Sequence, residues 1–171
     1  MNKKGFTLIE LIATITILSI IMAVAIPNVL SVTRKNKNQT YINDARKLVT
    51  LAKYRFESDA TIVRPNGSTC VIIKMGSLDK SELQKTPENG TYDFDNSYVK
   101  ITYDTVNLKY VYEVQLLEFI NGETKVKGVP LTPYSELVEI SAKNNMVKTA
   151  NGPNSGGFKE IEYQGCITDT D

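Results

Sequence analysis

Few side chains in this sequence are of the types that commonly carry out catalysis or bind metals. The sequence contains no histidine, the commonest general base and metal ligand of proteins, and its only cysteines are Cys70 and Cys166. Glu160 and Glu162 are spaced to lie on one face of a strand, but no third group beside them completes a catalytic or calcium site. The sequence therefore predicts no catalytic residues, no metal site and no cofactor.

The carboxylate of Glu10 stands out because of its surroundings. The segment Phe6–Ile26 contains 21 residues, and Glu10 is its single charge. As a helix the segment spans about 31 Å, which is enough to cross a hydrocarbon core about 30 Å thick. A carboxylate at the centre of a bilayer costs about 2.5–3.5 kcal/mol, and less near an interface. Glu10 therefore either reaches back to the lipid headgroups or requires a cation on another chain.

The flanks of this apolar run are compatible with several kinds of membrane segment. Lys3 and Lys4 precede the run, as in a secretory signal peptide, but the run exceeds the usual apolar length of about 7–15 residues. Gly5 is the small residue nearest to the charged end, whereas Ala23–Ala25 offers a rival Ala-x-Ala cleavage site near the other end. The basic residues of Arg34–Lys37 follow the run, so the positive-inside rule leaves its orientation open.

Residues 3–10, KKGFTLIE, together with the apolar run resemble the class III signal of type IV pilins and of their pseudopilin relatives. The resemblance ends near Thr33. It implies that a membrane-bound aspartic prepilin peptidase cuts between Gly5 and Phe6 on the cytoplasmic face and methylates the new amino group of Phe6. It also implies that Glu10 faces the Phe6 amine of a neighbouring subunit, while the rest of the run leaves the bilayer and packs as the apolar core of a filament.

Beyond the apolar run, a second helical pattern follows. Pro27 removes a backbone donor and is expected to end or bend the helix. Apolar residues then recur every three or four positions, which predicts a helix with one buried stripe that continues to about Asp59. Because helix is predicted on both sides of Pro27, a bend is favoured there over a helix end. The stripe consists of Tyr41, Ile42, Ala45, Leu48, Val49, Ala52 and Phe56.

By resemblance, the stripe packs on a small antiparallel sheet, so the predicted fold is α+β with a long, bent N-terminal helix. The predicted parts are a leader at residues 1–5, a transmembrane and filament-core helix at residues 6–33, and an amphipathic helix half with a globular head at residues 34–171.

The head is predicted as short strands separated by turns, because apolar runs and alternation indicate strands and clusters of Asn, Gly, Pro and Ser indicate turns. Strands are predicted at Cys70–Met75, Tyr98–Tyr103, Leu108–Leu116, Thr124–Val129 and Phe158–Tyr163. A helical turn or short helix is predicted at Ser77–Lys85, and a short helix at Tyr134–Lys143 with Ser135 as its N-cap. Turns or exposed loops are predicted at Pro87–Gly90, at Asn121-Gly122 as a hairpin turn, and at Thr149–Gly157.

The two cysteines are expected to pair if the head folds outside the cytoplasm. A disulfide between Cys70 and Cys166 would close a long loop and contribute about 4 kcal/mol in the chain-entropy account. The alternative is a pair of buried thiols. The wide spacing differs from the much closer C-terminal cysteine pair of many Gram-negative pilins.

The hypothesis drawn from the sequence is a structural, non-enzymatic subunit, major or minor, of a type IV pilus. The resemblance implies a single-pass membrane protein before assembly and an extracellular filament afterwards, serving adhesion, motility, biofilm formation or DNA uptake. The implied partners are other pilin subunits, the prepilin peptidase, and the assembly platform and motor. A net charge of +1 indicates no specific nucleic acid partner.

Two alternatives remain open at the level of the sequence. The nearer one is a pseudopilin of a type II secretion or competence system, which shares almost the whole N-terminal pattern. The remote one is an exported enzyme or binding domain on a plain membrane anchor, which would be cleaved near Ala25 or not at all.

Overall fold

The computed structural model describes residues 5–79, 81, 83, 85–120, 125–139 and 145–169. The chain forms two units that divide after Asn36. The first unit contains the apolar half of a long helix, and the second contains the remainder of that helix and all described strands.

Helix α1 runs from Leu8 to Ser58, has 51 residues and contains Pro27. The helix therefore does not end at Pro27, and a bend there stays a prediction. Among the described helices, α1 alone is long and apolar enough to cross a membrane. The mean hydropathy of its most apolar stretch is 2.5, and none of that stretch is buried within the subunit.

Six strands form one sheet in the order β5-β4-β3-β2-β1-β6. Neighbouring strands pair antiparallel, except that β6 runs parallel to β1. The strands are β1 at Cys70–Lys74, β2 at Tyr98–Asp104, β3 at Lys109–Ile120, β4 at Lys125–Pro133, β5 at Lys148–Ala150 and β6 at Ile167–Thr168. A short helix, α2, occupies Tyr134–Glu139, and 3-10 turns occupy Met75–Ser77 and Ile161–Gln164. A long N-terminal helix on a mostly antiparallel sheet confirms the α+β prediction.

The predicted apolar stripe of α1 forms the helix side of the core. Each of its seven residues, from Tyr41 to Phe56, is at most 2% exposed. The sheet side consists mainly of Val71, Ile73, Val99, Ile101, Val114, Leu116 and Val129. Since burying one large apolar side chain contributes about 1.5–3 kcal/mol, this contact fixes the second half of α1 on the sheet.

The longest strand pair, β3 with β4, contains a bulge between Val114 and Leu116. Beyond the bulge, Gly128 lies opposite Leu117, and a Cβ at Gly128 would come 2.0 Å from the carbonyl oxygen of Leu116. Glycine is therefore required for this close approach of the two backbones. The resulting register places Glu118 directly opposite Lys127.

The predicted last strand is wrong. The residues of Phe158–Tyr163 do not pair in the sheet, and Ile161–Gln164 forms a 3-10 turn instead. The last strand, β6, lies further along because Cys166 is joined to Cys70, which brings the following residues to the edge of β1. Glu160 and Glu162 therefore do not lie on one strand face.

One helix prediction needs correction, and another can be compared only in part. In Ser77–Lys85 the described residues comprise the end of a 3-10 turn, bends, a turn and irregular backbone, and residues 80, 82 and 84 lie outside the described residues. The Ser81 amide donates to the Asp79 carboxylate at 3.0 Å. Such a local side-chain bond competes with helix formation. Ser135 lies inside α2, which begins one residue earlier, and is therefore not its N-cap.

The other head predictions are confirmed where they can be compared. The four earlier strands are present with slightly shifted ends, and the turn at Pro87–Gly90 has Asn89 in the left-handed region, at φ 63°. The predicted loop at Thr149–Gly157 is a loop from Asn151 onward, since its first two residues belong to β5. The turn Asn121-Gly122 and the end of the predicted helix at residues 140–143 lie outside the described residues.

Candidate assembly site

The first turn of α1 contains a reciprocal cap between Thr7 and Glu10. The Thr7 amide and hydroxyl donate to Oε2 of Glu10 at 2.9 and 2.8 Å, and the Glu10 amide donates to the Thr7 hydroxyl at 3.4 Å. This is a capping box, which satisfies backbone donors that a helix N-terminus leaves free. Among the residues that the structure describes, Glu10 therefore accepts its hydrogen bonds from Thr7.

The processing residues predicted from the sequence precede this cap. Gly5 and Phe6 lie outside α1, and Phe6 is 82% exposed. A Cβ at Gly5 would meet nothing within 4 Å. Gly5 and Phe6 are therefore both exposed and lie outside the helix.

The apolar half of α1 buries none of its described side chains within its own chain. All described residues from Gly5 to Asn36, Pro27 included, are exposed. Six polar side chains in this stretch bond to carbonyl oxygens three or four residues earlier, at 2.7–3.3 Å: Thr14, Thr16, Ser19, Asn28, Ser31 and Thr33. Since hydrocarbon cannot satisfy polar groups, this local bonding suits the segment both to lipid and to an apolar helix bundle.

The second half of α1 places polar side chains into the head. The Tyr41 hydroxyl donates to Glu118 of β3, a residue with no exposed surface. The Tyr92 hydroxyl donates to buried Asp44 at 2.7 Å. Burial, together with the Asp44 carboxylate, raises the pKa of Tyr92. Both hydroxyls therefore stay protonated and serve as donors to buried carboxylates, which are costly unless they are hydrogen-bonded.

A charged cluster surrounds Glu88, which follows the turn residue Pro87. Lys37, where the head begins, contacts Oε2 of Glu88 at 2.5 Å, and Lys127 contacts Oε1. Burial acts to raise the pKa of Glu88, but the hydrogen bonds and charges of Lys127 and Lys37 outweigh it and lower that pKa. Glu88 is therefore ionised at neutral pH and ties α1 to β4.

The C-terminal segment is held to the head at two points. Cys70 and Cys166, 96 residues apart in sequence, form a disulfide with a Cα–Cα distance of 4.7 Å. The Asp169 carboxylate has no exposed surface and lies 3.2 Å from Arg55 of α1. It also accepts a 2.5 Å hydrogen bond from the Ser77 hydroxyl. The disulfide and the ion pair together join β1, α1 and the end of the chain.

Several of these functional contacts escaped the sequence reasoning. The Thr-x-x-Glu spacing of Thr7 and Glu10 is the known signature of a capping box and could have been used. Nothing in the local sequence distinguishes Glu118 or Asp169 from exposed carboxylates. Among the described residues, no group of three or more acidic or cysteine side chains could hold a metal ion.

Comparisons with known proteins agree with the features at the N-terminus. A family model described as the prokaryotic N-terminal methylation motif matches residues 1–26. The chain is 36% identical to the type IV wide pilus major component PilA4 of Thermus thermophilus over 108 residues, which cover 58% of this chain and 72% of that protein. No solved structure matches the chain significantly.

Proposed function

The chain belongs to the type IV pilins, and we propose that its exposed apolar helix half serves first as a membrane anchor and then as the core of a pilus. The protein is a structural subunit, made as a membrane-anchored precursor that becomes part of an extracellular filament. The observation that carries the proposal is the contrast within α1. Its first half buries nothing in the subunit, whereas its second half is built into the head.

We assign the processing site to the bond between Gly5 and Phe6. The methylation motif spans this bond, and both residues are exposed and precede the first turn of α1. A prepilin peptidase could therefore reach this bond without unwinding the helix. The same enzyme would then methylate the new amino group of Phe6.

Glu10 is proposed to receive the Phe6 amine of a neighbouring subunit. Both donors from Thr7 go to Oε2 of Glu10, and no described residue bonds Oε1, so one oxygen remains for a cation. An ion pair in an apolar surrounding is strongly geometry-dependent and can set the register between chains. Thr7 would hold the carboxylate in position during the transfer from lipid to filament.

The relative from Thermus is a major component of its pilus, which favours a pilus subunit over a pseudopilin for this chain. We propose that the chain is a structural subunit of the pilus, either the major one or a minor one. The proposed partners are further pilin subunits, the prepilin peptidase, and an assembly platform and motor. We propose neither a cofactor nor a specific nucleic acid partner.

Mass spectrometry of filaments purified from cells expressing the chain tests this function. The N-terminal peptide is expected to begin with N-methylated Phe6. A mature chain that starts after Ala25, or one that retains Met1, would exclude the assigned processing site.

The variant Glu10→Gln separates the cap from the charge. Glutamine also completes a capping box, so processing at Phe6 should persist while filaments are lost. Glu136→Gln, which neutralises an exposed carboxylate on α2, is the matched control and should leave filaments intact. Normal filaments from Glu10→Gln would show that the Phe6 amine does not need this charge.

A further inference from the structure

The turn between β2 and β3 carries two apolar side chains in water. Val106 is 87% exposed and Leu108 is 73% exposed. Leu108 also adopts a φ of 50°, a conformation that glycine and asparagine take readily and that a branched apolar residue avoids. Both its exposure and its backbone conformation are therefore unfavourable in the isolated subunit. We call Val106 and Leu108 the hairpin tip.

The hairpin tip is held in one shape by Asp104. Its carboxylate accepts hydrogen bonds from the amides of Val106 and Asn107 at 2.9 and 3.0 Å, and from the Asn107 side chain at 2.6 Å. These bonds lower the pKa of Asp104, so the carboxylate is ionised and the turn stays closed at neutral pH. Backbone strain of this kind persists only where the surrounding structure holds it, and it concentrates at functional sites.

A groove of about 330 Å³ lies between the last turns of α1 and the segment that follows β1. Its apolar wall includes Leu51, Leu78 and Tyr54, and Tyr54 is 75% exposed. We call this cavity the α1 groove. Since the hairpin tip is itself largely exposed, it does not fill the α1 groove of its own chain.

Two carboxylates border the α1 groove. Asp59 accepts hydrogen bonds from the Thr61 hydroxyl and amide, and Asp79 accepts one from the Ser81 amide. These bonds lower the pKa of both aspartates, so both are ionised at neutral pH. The hairpin tip is followed directly by Lys109, which is exposed. Arg55 also lines the groove, but its guanidinium is paired with Asp169 at 3.2 Å. The two aspartates therefore leave the groove negative, so the tip and the groove are complementary in apolar character and in charge.

We propose that in the assembled pilus the hairpin tip of one subunit docks in the α1 groove of a neighbouring copy of the same chain. Val106 and Leu108 lie against Leu51 and Tyr54, and Lys109 lies near Asp59 or Asp79. The proposal rests on the proposed function as a filament subunit. A contact between two different surfaces of identical subunits is heterologous and repeats without closing, as a filament requires.

The variant Leu108→Gly is the sharpest test, because its effects on the subunit and on the filament have opposite signs. Glycine accepts the positive φ, so the detergent-solubilised full-length subunit should unfold at the same temperature or higher. Loss of the buried leucine should raise the subunit concentration needed for assembly about tenfold. Val138→Ala removes an exposed branched side chain from α2 without placing glycine in a helix. Val138 belongs neither to the hairpin tip nor to the lining of the α1 groove, so this control variant should not weaken assembled filaments.

Cysteine cross-linking locates the contact. The double variant Leu108→Cys with Ser58→Cys places one thiol on the hairpin tip and one on the rim of the α1 groove. Oxidised filaments should give a ladder of covalent multimers on non-reducing gels. Leu108→Cys paired with Glu136→Cys, which lies on α2, should give none.

Three outcomes would overturn the proposal. Filaments of Leu108→Gly could be as abundant and as stable as those of the wild type, or the ladder could be absent. The variant could also form normal filaments that lose only attachment to surfaces, which would place the tip outward on the fibre. Failure of the wild-type chain to form filaments in the same cells would instead count against the proposed function.

Discussion

The two halves of α1 belong to one continuous helix but are stabilised in different ways. The first half has all its described side chains exposed, and the hydrogen-bonding side chains between Thr7 and Thr33 bond to its own backbone or first turn. The second half buries a stripe of seven residues from Tyr41 to Phe56. The first half therefore satisfies its own hydrogen bonds as a helix, but its apolar side chains are not buried within the subunit. They can be covered first by lipid and later by other helices.

The long-range side-chain bonds of α1 follow the same division. In the second half, Arg46 donates to the Leu137 carbonyl at 3.0 Å, and Arg55 donates to the Ser77 carbonyl at 2.6 Å. These bonds attach the second half of α1 to the head. A segment whose bonds are all local can leave lipid for other helices without breaking any of them.

The largest expected effect comes from removing the disulfide, which acts on the head alone. Replacing Cys70 and Cys166 by serine should lower the free energy of unfolding of the head by about 4–5 kcal/mol in the chain-entropy account, because the bond closes a loop of nearly the whole head. Urea titration of the full-length chain in detergent, followed by circular dichroism, measures this loss.

The same titration distinguishes the halves of α1. The helical signal of the apolar half should persist in the double serine variant after the head has unfolded. If the helical signal of the apolar half disappears together with that of the head, the two halves do not differ as described. The same conclusion follows if the variant unfolds at the wild-type urea concentration.

A pair of leucine substitutions compares the two halves directly. Leu48 has no exposed surface, whereas Leu18 is 53% exposed. Leu48→Ala should destabilise the head by about 3 kcal/mol, because it leaves a cavity in the core, and Leu18→Ala should leave head stability unchanged. In filaments the order should reverse, with Leu18→Ala weakening resistance to heat or detergent. Equal effects of both variants on head unfolding would contradict the comparison.

How well the structure can be predicted from the sequence differs between these regions for physical reasons. The apolar half and the stripe were predictable because periodicity and composition report directly on helices that bury one side or cross a membrane. The strands β1 to β4 were predictable to within a few residues for the same reason, whereas β5 and β6 are short edge strands that no apolar alternation marks. The capping box at Thr7 has the same kind of local signal, the Thr-x-x-Glu spacing.

The errors fall where distant residues decide the structure. The end of the chain pairs with β1 because Cys166 joins Cys70 and Asp169 meets Arg55, and no local pattern announces such contacts. Glu118 looks like an exposed residue of a strand, yet it is buried because Tyr41 of α1 supplies its hydrogen bond. Whether a single carboxylate is buried depends on residues that are distant in sequence and meet only in the folded core.

The smallest expected effect concerns Glu88, at the point where the second half of α1 joins the head. Its folded pKa is lowered below the ordinary value near 4.5 by Lys127 and Lys37, in spite of burial. A carboxyl group with a lowered pKa contributes stability above its unfolded pKa and loses that contribution as the pH falls through its folded pKa. Since both ion pairs are partly exposed, Glu88→Gln should cost only about 1 kcal/mol at pH 7.

The difference in free energy of unfolding between wild type and Glu88→Gln should shrink as the pH falls below about 4.5. It should disappear once Glu88 is protonated in the folded head. Urea titrations at several pH values measure it, and Glu136→Gln at an exposed site of α2 provides the control with a difference near zero throughout. A cost that stays constant down to acidic pH would mean that the charge of Glu88 is irrelevant. The start of the second half of α1 would then be held on the head by packing and by its remaining hydrogen bonds, such as that from Tyr41 to Glu118.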